Sequence, residues 1–479
     1  MYLSIKNFYL DYSLLLKLLL LLIISRIIFF IIGLNPDPSH LPQMWQLLSP
    51  DLLSKDYFKS LLYLHSQPPI WNAIFGIFIK FFGTDYKILN IVMHLFNIFC
   101  SFVITIYFFL ICKEFNFSKK IIYILFFIFI GISPSLLMYE NFIHYTNLSV
   151  LLFMIISFNF IKFGKTSNFQ YEIKIYFYLI LLMYTWSAFS HPAVVLGIFL
   201  IIFFSKQNNK INSLLLFILV LAISLLPSIK NKILFNYFSN TTWPGLQLVQ
   251  VLERYDYKYP LCSYDLVDIP IHENAYINDN PAKNFNHQSL VGEKSRYNTI
   301  ALIYRSKECL PFAIGLIKKD PMNFIKIVKF NLISSHGHFS FDFGMKPNNW
   351  ENIFGFFDDL KSNYFTNKFK VRGIQLYHLI FHLFFISIAI KLIINFKKRN
   401  SYDLSIIAIY FLYCWIIFIS HVGAGFEFER MRHTGHAIHL LFVSLVIKNN
   451  FFNFKKFIEL QKTLKKFHMS YQFIMSKID

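Results

Sequence analysis

Charge is the scarcest ingredient of this chain. Asp, Glu, Lys and Arg make 15% of its residues and hydrophobic types 56%, where about 25% charged is usual for a soluble domain. So little polar surface excludes a water-soluble fold. Acids are scarcest of all, 26 against 46 basic residues, for a formal net charge of +20. The basic excess lies in short clusters beside hydrophobic runs, where cytoplasmic retention places it, so no nucleic-acid partner is expected. Nucleotide-binding signatures are also missing: there is no P-loop, no G-x-G-x-x-G and no G-x-S-x-G. With only short basic loops inside, ATP-driven or nucleotide-sugar chemistry has no site on the cytoplasmic face. There is no internal repeat and no Gly/Ser linker.

Hydrophobic runs are what the chain has in abundance. A spanning helix needs about 20 mostly apolar residues, and candidates fall near 13–34, 88–112, 121–138, 147–163, 175–190, 192–205, 213–229, 373–395, 404–421 and 433–448. The expectation is an all-α polytopic membrane bundle of about ten spans, with juxtamembrane helices and a mixed extracytoplasmic loop region. The first run is longer than a secretory h-region and has no small-residue cleavage pattern, so it reads as an uncleaved signal anchor. Counting basic clusters puts both termini in the cytoplasm. The segment Ile70–Phe82 is too short to span, and counting it would push the Lys113–Lys120 cluster outside. It is therefore expected as an outer interfacial helix with Trp71 at headgroup depth.

This bookkeeping divides the chain into a membrane module at 1–229 with a first external loop at 35–87, a long external region at 230–372, further spans at 373–448 and a basic tail at 449–479. Within the tail, Phe457, Leu460, Leu464 and Phe467 share one helix face among lysines, an amphipathic pattern suited to the anionic inner leaflet. In the long loop, Ser295–Ile317 reads as one partner of a helical hairpin. Of 5 cysteines, only Cys262 and Cys309 fall in an external loop. They are either a disulfide in an oxidising compartment or two free thiols.

Polar residues on the outer face carry the candidate chemistry. Asp37 follows the first span by a few residues, in N-P-D-P, where flanking prolines restrict the backbone. It suits a general base at the membrane surface, or simply a turn residue. Glu140 lies in Y-E-N-F-I-H-Y-T on the same face. His65 and Gln67 stand in H-S-Q-P-P-I-W-N. The last external loop, E-F-E-R-M-R-H, brings Arg430 and Arg432, whose guanidinium groups suit a phosphate or pair with Glu427 and Glu429. Arg26, inside the first span, needs an interior partner and reads as one half of a salt bridge. All 16 histidines except His94 and His468 fall outside or at outer helix ends. His378 with His382, and His436 with His433 or His439, have helical spacing for a metal pair, but no H-E-x-x-H or Cys/His framework supports one.

In their order and sidedness, the Asp after the first span, Q-P-P-I-W-N opening a juxtamembrane helix, Y-E-N, R-Y-N-T-I-A-L-I-Y at Arg296–Tyr304 and E-F-E-R-M-R before a late span resemble the GT-C glycosyltransferases. The likeness is to the bacterial branch related to dolichyl-phosphate-mannose protein mannosyltransferases and lipid A aminoarabinose transferase. It implies transfer of a sugar from a polyprenyl-phosphate carrier to a glycolipid, polysaccharide or protein acceptor on the outer face of the bacterial inner membrane. Asp37 would be the catalytic base, Arg430 and Arg432 would meet the carrier phosphate, and Glu140, His65 and Gln67 would line the cavity. Pro38 stands where many relatives have a second acid, so no cofactor is expected, although a divalent metal stays open. The rival readings are a transporter or flippase of lipid-linked saccharide, which would favour broken spans and repeats, and a polysaccharide polymerase or ligase.

Overall fold

A computed structural model describes residues 2–44, 47–204, 210–253, 300–328, 347–350, 352–354 and 401–423. Their regular structure is entirely helical. Helix α1, Tyr2–Ile31, has neither Pro nor Gly to interrupt it. Leu14, Leu18 and Leu22 are its buried stripe, while Leu16, Leu20, Ile23, Ile27 and Phe30 are exposed, as a lipid-facing helix at the edge of a bundle requires.

Short helices α2 (Pro50–Lys55) and α3 (Tyr57–Leu62) lead to α4, Pro69–Phe82. Trp71 corrects the sequence expectation: it is 1% exposed and packs against Phe96 at a ring distance of 6.2 Å. It shares the i, i+4, i+8 stripe of Phe75 and Ile79, so the stripe turns it inward. The exposed apolar residues of α4 are instead Ile77, Phe81 and Phe82.

The next helix starts are local and legible. Asp85 caps α5, Tyr86–Glu114, by accepting from Lys87 N (2.7 Å) and Ile88 N (3.2 Å), and Ser118 caps α6, Lys119–Phe126. The run expected as one span at 121–138 is broken. After α6 come a π-helical turn, Phe127–Gly131, and then α7, Pro134–Asn141, at a bend of 42°. Pro134 explains the break, since it has no N–H to continue the ladder and begins α7 at its first turn.

Helix α8, Thr146–Thr166, is buried along most of its length and forms the centre of the bundle, against α5, α9 (Phe169–Thr185) and α14 (Ser401–Gly423). Its C-terminal end is tied to α5 by Lys162 and Lys165, which pair with Glu114 at 2.6 and 2.9 Å. Helix α10, Pro192–Phe203, has 12 residues, below spanning length. Gly197 lets it approach α14 so closely that a Cβ there would lie 2.5 Å from Phe411 Cζ.

Helix α11, Lys210–Phe235, contains Pro227. Proline leaves the carbonyl four residues back without its helical donor, and the Tyr184 hydroxyl donates to that oxygen, Ile223 O, at 2.9 Å. Beyond it, α12 (Pro244–Glu253) packs against α13 (Ile300–Lys319) around Val249, Val251, Leu302 and Cys309, which gives the expected hairpin partner.

Four described helices are long and apolar enough to cross a membrane, Tyr12–Ile31, Tyr86–Glu114, Thr146–Thr166 and Lys210–Phe235, and the bent α6–α7 pair makes a fifth if it counts as one span. The spans expected at 373–395 and 433–448, and the amphipathic tail, lie outside the described residues. Cys309 is disulfide-bonded, whereas Cys100, Cys112 and Cys414 are free. Cys262 lies outside the described residues.

Candidate functional site

Asp37 occupies the turn that follows α1. Its backbone is extended (φ −82°, ψ 117°) and its side chain caps the 3-10 turn Pro38–Gln43, accepting from Ser39 N at 2.8 Å. The loop is braced by a segment far along the chain. Asn348 N donates to Asn35 O at 3.0 Å, and the Asn349 side-chain amide donates to Ile32 O. Gly33 makes this approach feasible: its φ is +93°, and a Cβ there would lie 3.1 Å from Asn349 Nδ2. Beneath the brace, Leu34, Leu137, Met138, Trp350 and Phe354 form one buried cluster, so the Asp37 loop, α7, Trp350 and Phe354 share a footing.

Glu140, at the end of α7, is 1% exposed. Arg26 grips its carboxylate in fork geometry, Nε to Oε2 at 2.8 Å and Nη2 to Oε1 at 2.5 Å. The remaining guanidinium nitrogen donates to Ile130 O (2.9 Å) and Gly131 O (3.0 Å), and Ser25 Oγ also donates to Gly131 O, at 2.5 Å. One arginine of α1 thus holds both arms of the broken span and fills carbonyls that the π turn and Pro134 leave without helical donors. The salt bridge expected of Arg26 is present, and the sequence candidate for cavity lining is its partner. His94 Nδ1 and Asn97 Nδ2 approach the Glu140 carbonyl at 3.0 and 3.4 Å.

Around this knot, buried polar atoms are left over. Asn90 Oδ1, Asn97 Oδ1, Asn141 Oδ1 and both side-chain polar atoms of Asn147 have no hydrogen-bond partner among the described residues. Such atoms call for water or a polar ligand.

A second cluster gathers at the end of α11. His65 is 2% exposed, with Nδ1 3.3 Å from Thr242 Oγ1 and its ring edge-on to Phe235 at 5.0 Å. Gln67 is half-buried, and Lys230 Nζ donates to Leu64 O. Tyr237 OH lies 2.7 Å from Ser306 Oγ, yet burial dominates and pushes this phenol above the usual range. Lys230 and Thr242 were not among the sequence candidates. The available signal was a pair of lysines, Lys230 and Lys232, closing an apolar run.

Arg430, Arg432 and the paired histidines from His378 to His439 lie outside the described residues. Among those described, no three His, Cys, Asp or Glu side chains come together as metal ligands would.

No family model and no curated protein matches this chain. Among solved structures, the crystal structure of the Archaeoglobus fulgidus oligosaccharyltransferase, in complex with zinc and sulfate, is similar at 13% identity and a TM-score of 0.40. The match covers 90% of this chain and 50% of that one, so the chain spans about half the length of that protein. The likeness is too slight to place the fold or the function.

Proposed function

We propose that this chain is a membrane glycosyltransferase that moves a sugar from a polyprenyl-phosphate carrier to a glycolipid, polysaccharide or protein acceptor at the extracytoplasmic face. The observation that carries the reading is Asp37, a carboxylate held in a braced turn directly beyond an apolar helix. In the proposed reaction Asp37 takes the proton of an acceptor hydroxyl as its oxygen attacks the anomeric carbon. The bond from that carbon to the carrier phosphate breaks, and the phosphate leaves with the electron pair, inverting the centre. The departing charge needs fixed cations, the role proposed for Arg430 and Arg432. His65, Gln67 and Glu140 stand nearby in this reading, Glu140 through Arg26 and not as a direct ligand. The disulfide at Cys309 supports an oxidising, extracytoplasmic side for α13. We place the protein in a bacterial inner membrane with both termini cytoplasmic.

The broken α6–α7 span favours a second reading, a transporter or flippase, because broken helices often hold cargo at their free ends. Here the freed carbonyls already accept from Arg26 and Ser25, which supports the enzyme. Reconstituting the protein in vesicles with a labelled polyprenyl-phosphate sugar separates the two. A new glycosidic product is expected, and carrier lipid crossing the bilayer with no glycosidic bond formed would sink the enzyme reading.

A further inference from the structure

Helix α1 closes its own end only in part. Leu34 N donates to Phe29 O at 2.9 Å and Gly33 N to Phe30 O at 3.0 Å, with Gly33 in the left-handed conformation that this closure requires. Leu34 and Phe29 pack in one apolar cluster, the contact that usually accompanies it. The carbonyls of Phe29 and Phe30 are thereby filled, but that of Ile32 is not. Its donor is the side-chain amide of Asn349, from the far end of the long external region.

The chemistry of Asn349 suits that single contact. Its own φ is +58°, a left-handed conformation that glycine adopts freely and asparagine tolerates. Asparagine brings to this backbone an amide that glycine lacks. Asn352 Nδ2 donates to Asn349 Oδ1 at 2.5 Å, so the amide oxygen is occupied and the NH2 group is left for Ile32. Asn348 N donates to Asn35 O at 3.0 Å, and the exit from α1 is therefore held at two points. Trp350, 1% exposed, anchors both asparagines through the cluster with Leu34 and Met138, and Phe354 stacks on Phe29 at 5.8 Å. Between Asn35 and Asp37 stands only Pro36, whose ring fixes φ. The Asp37 carboxylate is then turned onto Ser39 N. So little freedom separates the brace from the carboxylate that a shift of the first moves the second.

We propose that Asn349 is a positioning residue for Asp37: by filling the open carbonyl of α1 it sets where the chain leaves the helix, and so where the carboxylate stands. The catalytic consequence rests on the proposed function, whereas the hold on the turn does not. The test uses the full chain in nanodiscs, with a nitroxide on Ser39→Cys, an exposed position, in a Cys414→Ser background in which Cys100 and Cys112 are buried. Asn349→Gly keeps the left-handed backbone and removes only the amide. It should narrow the nitroxide lines, and in the unlabelled protein lower kcat for sugar transfer about tenfold or more with KM within about twofold. In an Asp37→Asn chain it should cost nothing further, because its effect runs through that carboxylate. Asn349→Asp, of the same shape but able only to accept, should behave as Asn349→Gly does. Unchanged lines in Asn349→Gly overturn the proposal, as do wild-type lines in Asn349→Asp. An unchanged kcat in a chain that transfers sugar, or an equal loss in the Asp37→Asn background, overturns the route through Asp37. Lines that narrow in Asn349→Gly while the wild type transfers no sugar support the hold on the turn and remove only the glycosyltransferase reading.

Discussion

Arg26 and Glu140, 114 residues apart in sequence, meet through two hydrogen bonds of 2.8 and 2.5 Å inside the bundle. Side-chain exposures of 10% and 1% leave the pair little contact with solvent. Removing one partner of a buried, fork-bonded pair strands the other charge, at a cost of about 3–5 kcal/mol. Arg26→Leu and Glu140→Gln should each lower the thermal inactivation midpoint in detergent markedly. Arg26→Lys should fall between, because an ammonium cannot reach both carboxylate oxygens and both π-turn carbonyls at once.

Two glycines should behave differently when given a methyl group. At Gly245, a Cβ would lie 2.6 Å from Ser306 O and 2.8 Å from Leu310 N, main-chain atoms of α13 that have nowhere to go. At Gly197 the obstacle is the Phe411 ring, a side chain that can tilt. Gly197→Ala should cost about 1–3 kcal/mol and Gly245→Ala more, read as the order of their thermal midpoints. Adding Phe411→Leu should restore Gly197→Ala.

The disulfide at Cys309 gives a chemical handle on sidedness. Mass-tagging of denatured protein should add three tags without reductant, for Cys100, Cys112 and Cys414, and five after reduction, the full cysteine count. Five tags without reductant would place α13 in a reducing compartment.

His191 caps α10 by accepting from Ala193 N at 3.2 Å through Nδ1, which needs the neutral ring. Burial holds its pKa below the ordinary 6.5. As pH falls from 6.5 toward the folded value, the unfolded chain takes up the proton first, so stability is lost as pH falls and the loss is complete below the folded pKa. Between pH 7 and 5 the wild type should lose more stability than His191→Asn, which caps but does not titrate. Parallel pH curves for the two proteins would contradict this.

What the sequence revealed was mainly local. N-P-D-P announces the Asp37 turn, Arg26 inside an apolar run demands a partner, and the apolar runs at 88–112 and 147–163 mark α5 and α8. What escaped depends on distant contacts. The name of that partner, the Asn349 brace on Ile32 across 317 residues and the Lys230 contact with Leu64 across 166 leave no periodicity to read. The break at Gly131 and Pro134 was masked because F-F-I-F-I-G-I-S-P-S-L-L-M is apolar enough to pass for one span. Trp71 was misjudged for a related reason: hydropathy places an indole at an interface, but its stripe with Phe75 and Ile79 turns it toward α5.

The most direct test of the central claim compares wild type with Asp37→Asn, both shown to be inserted and equally stable, in sugar transfer from a polyprenyl-phosphate donor. Losing the base should lower the transfer rate by about 10²–10⁴-fold while carrier binding holds. Undiminished transfer by the Asp37→Asn protein would contradict the account.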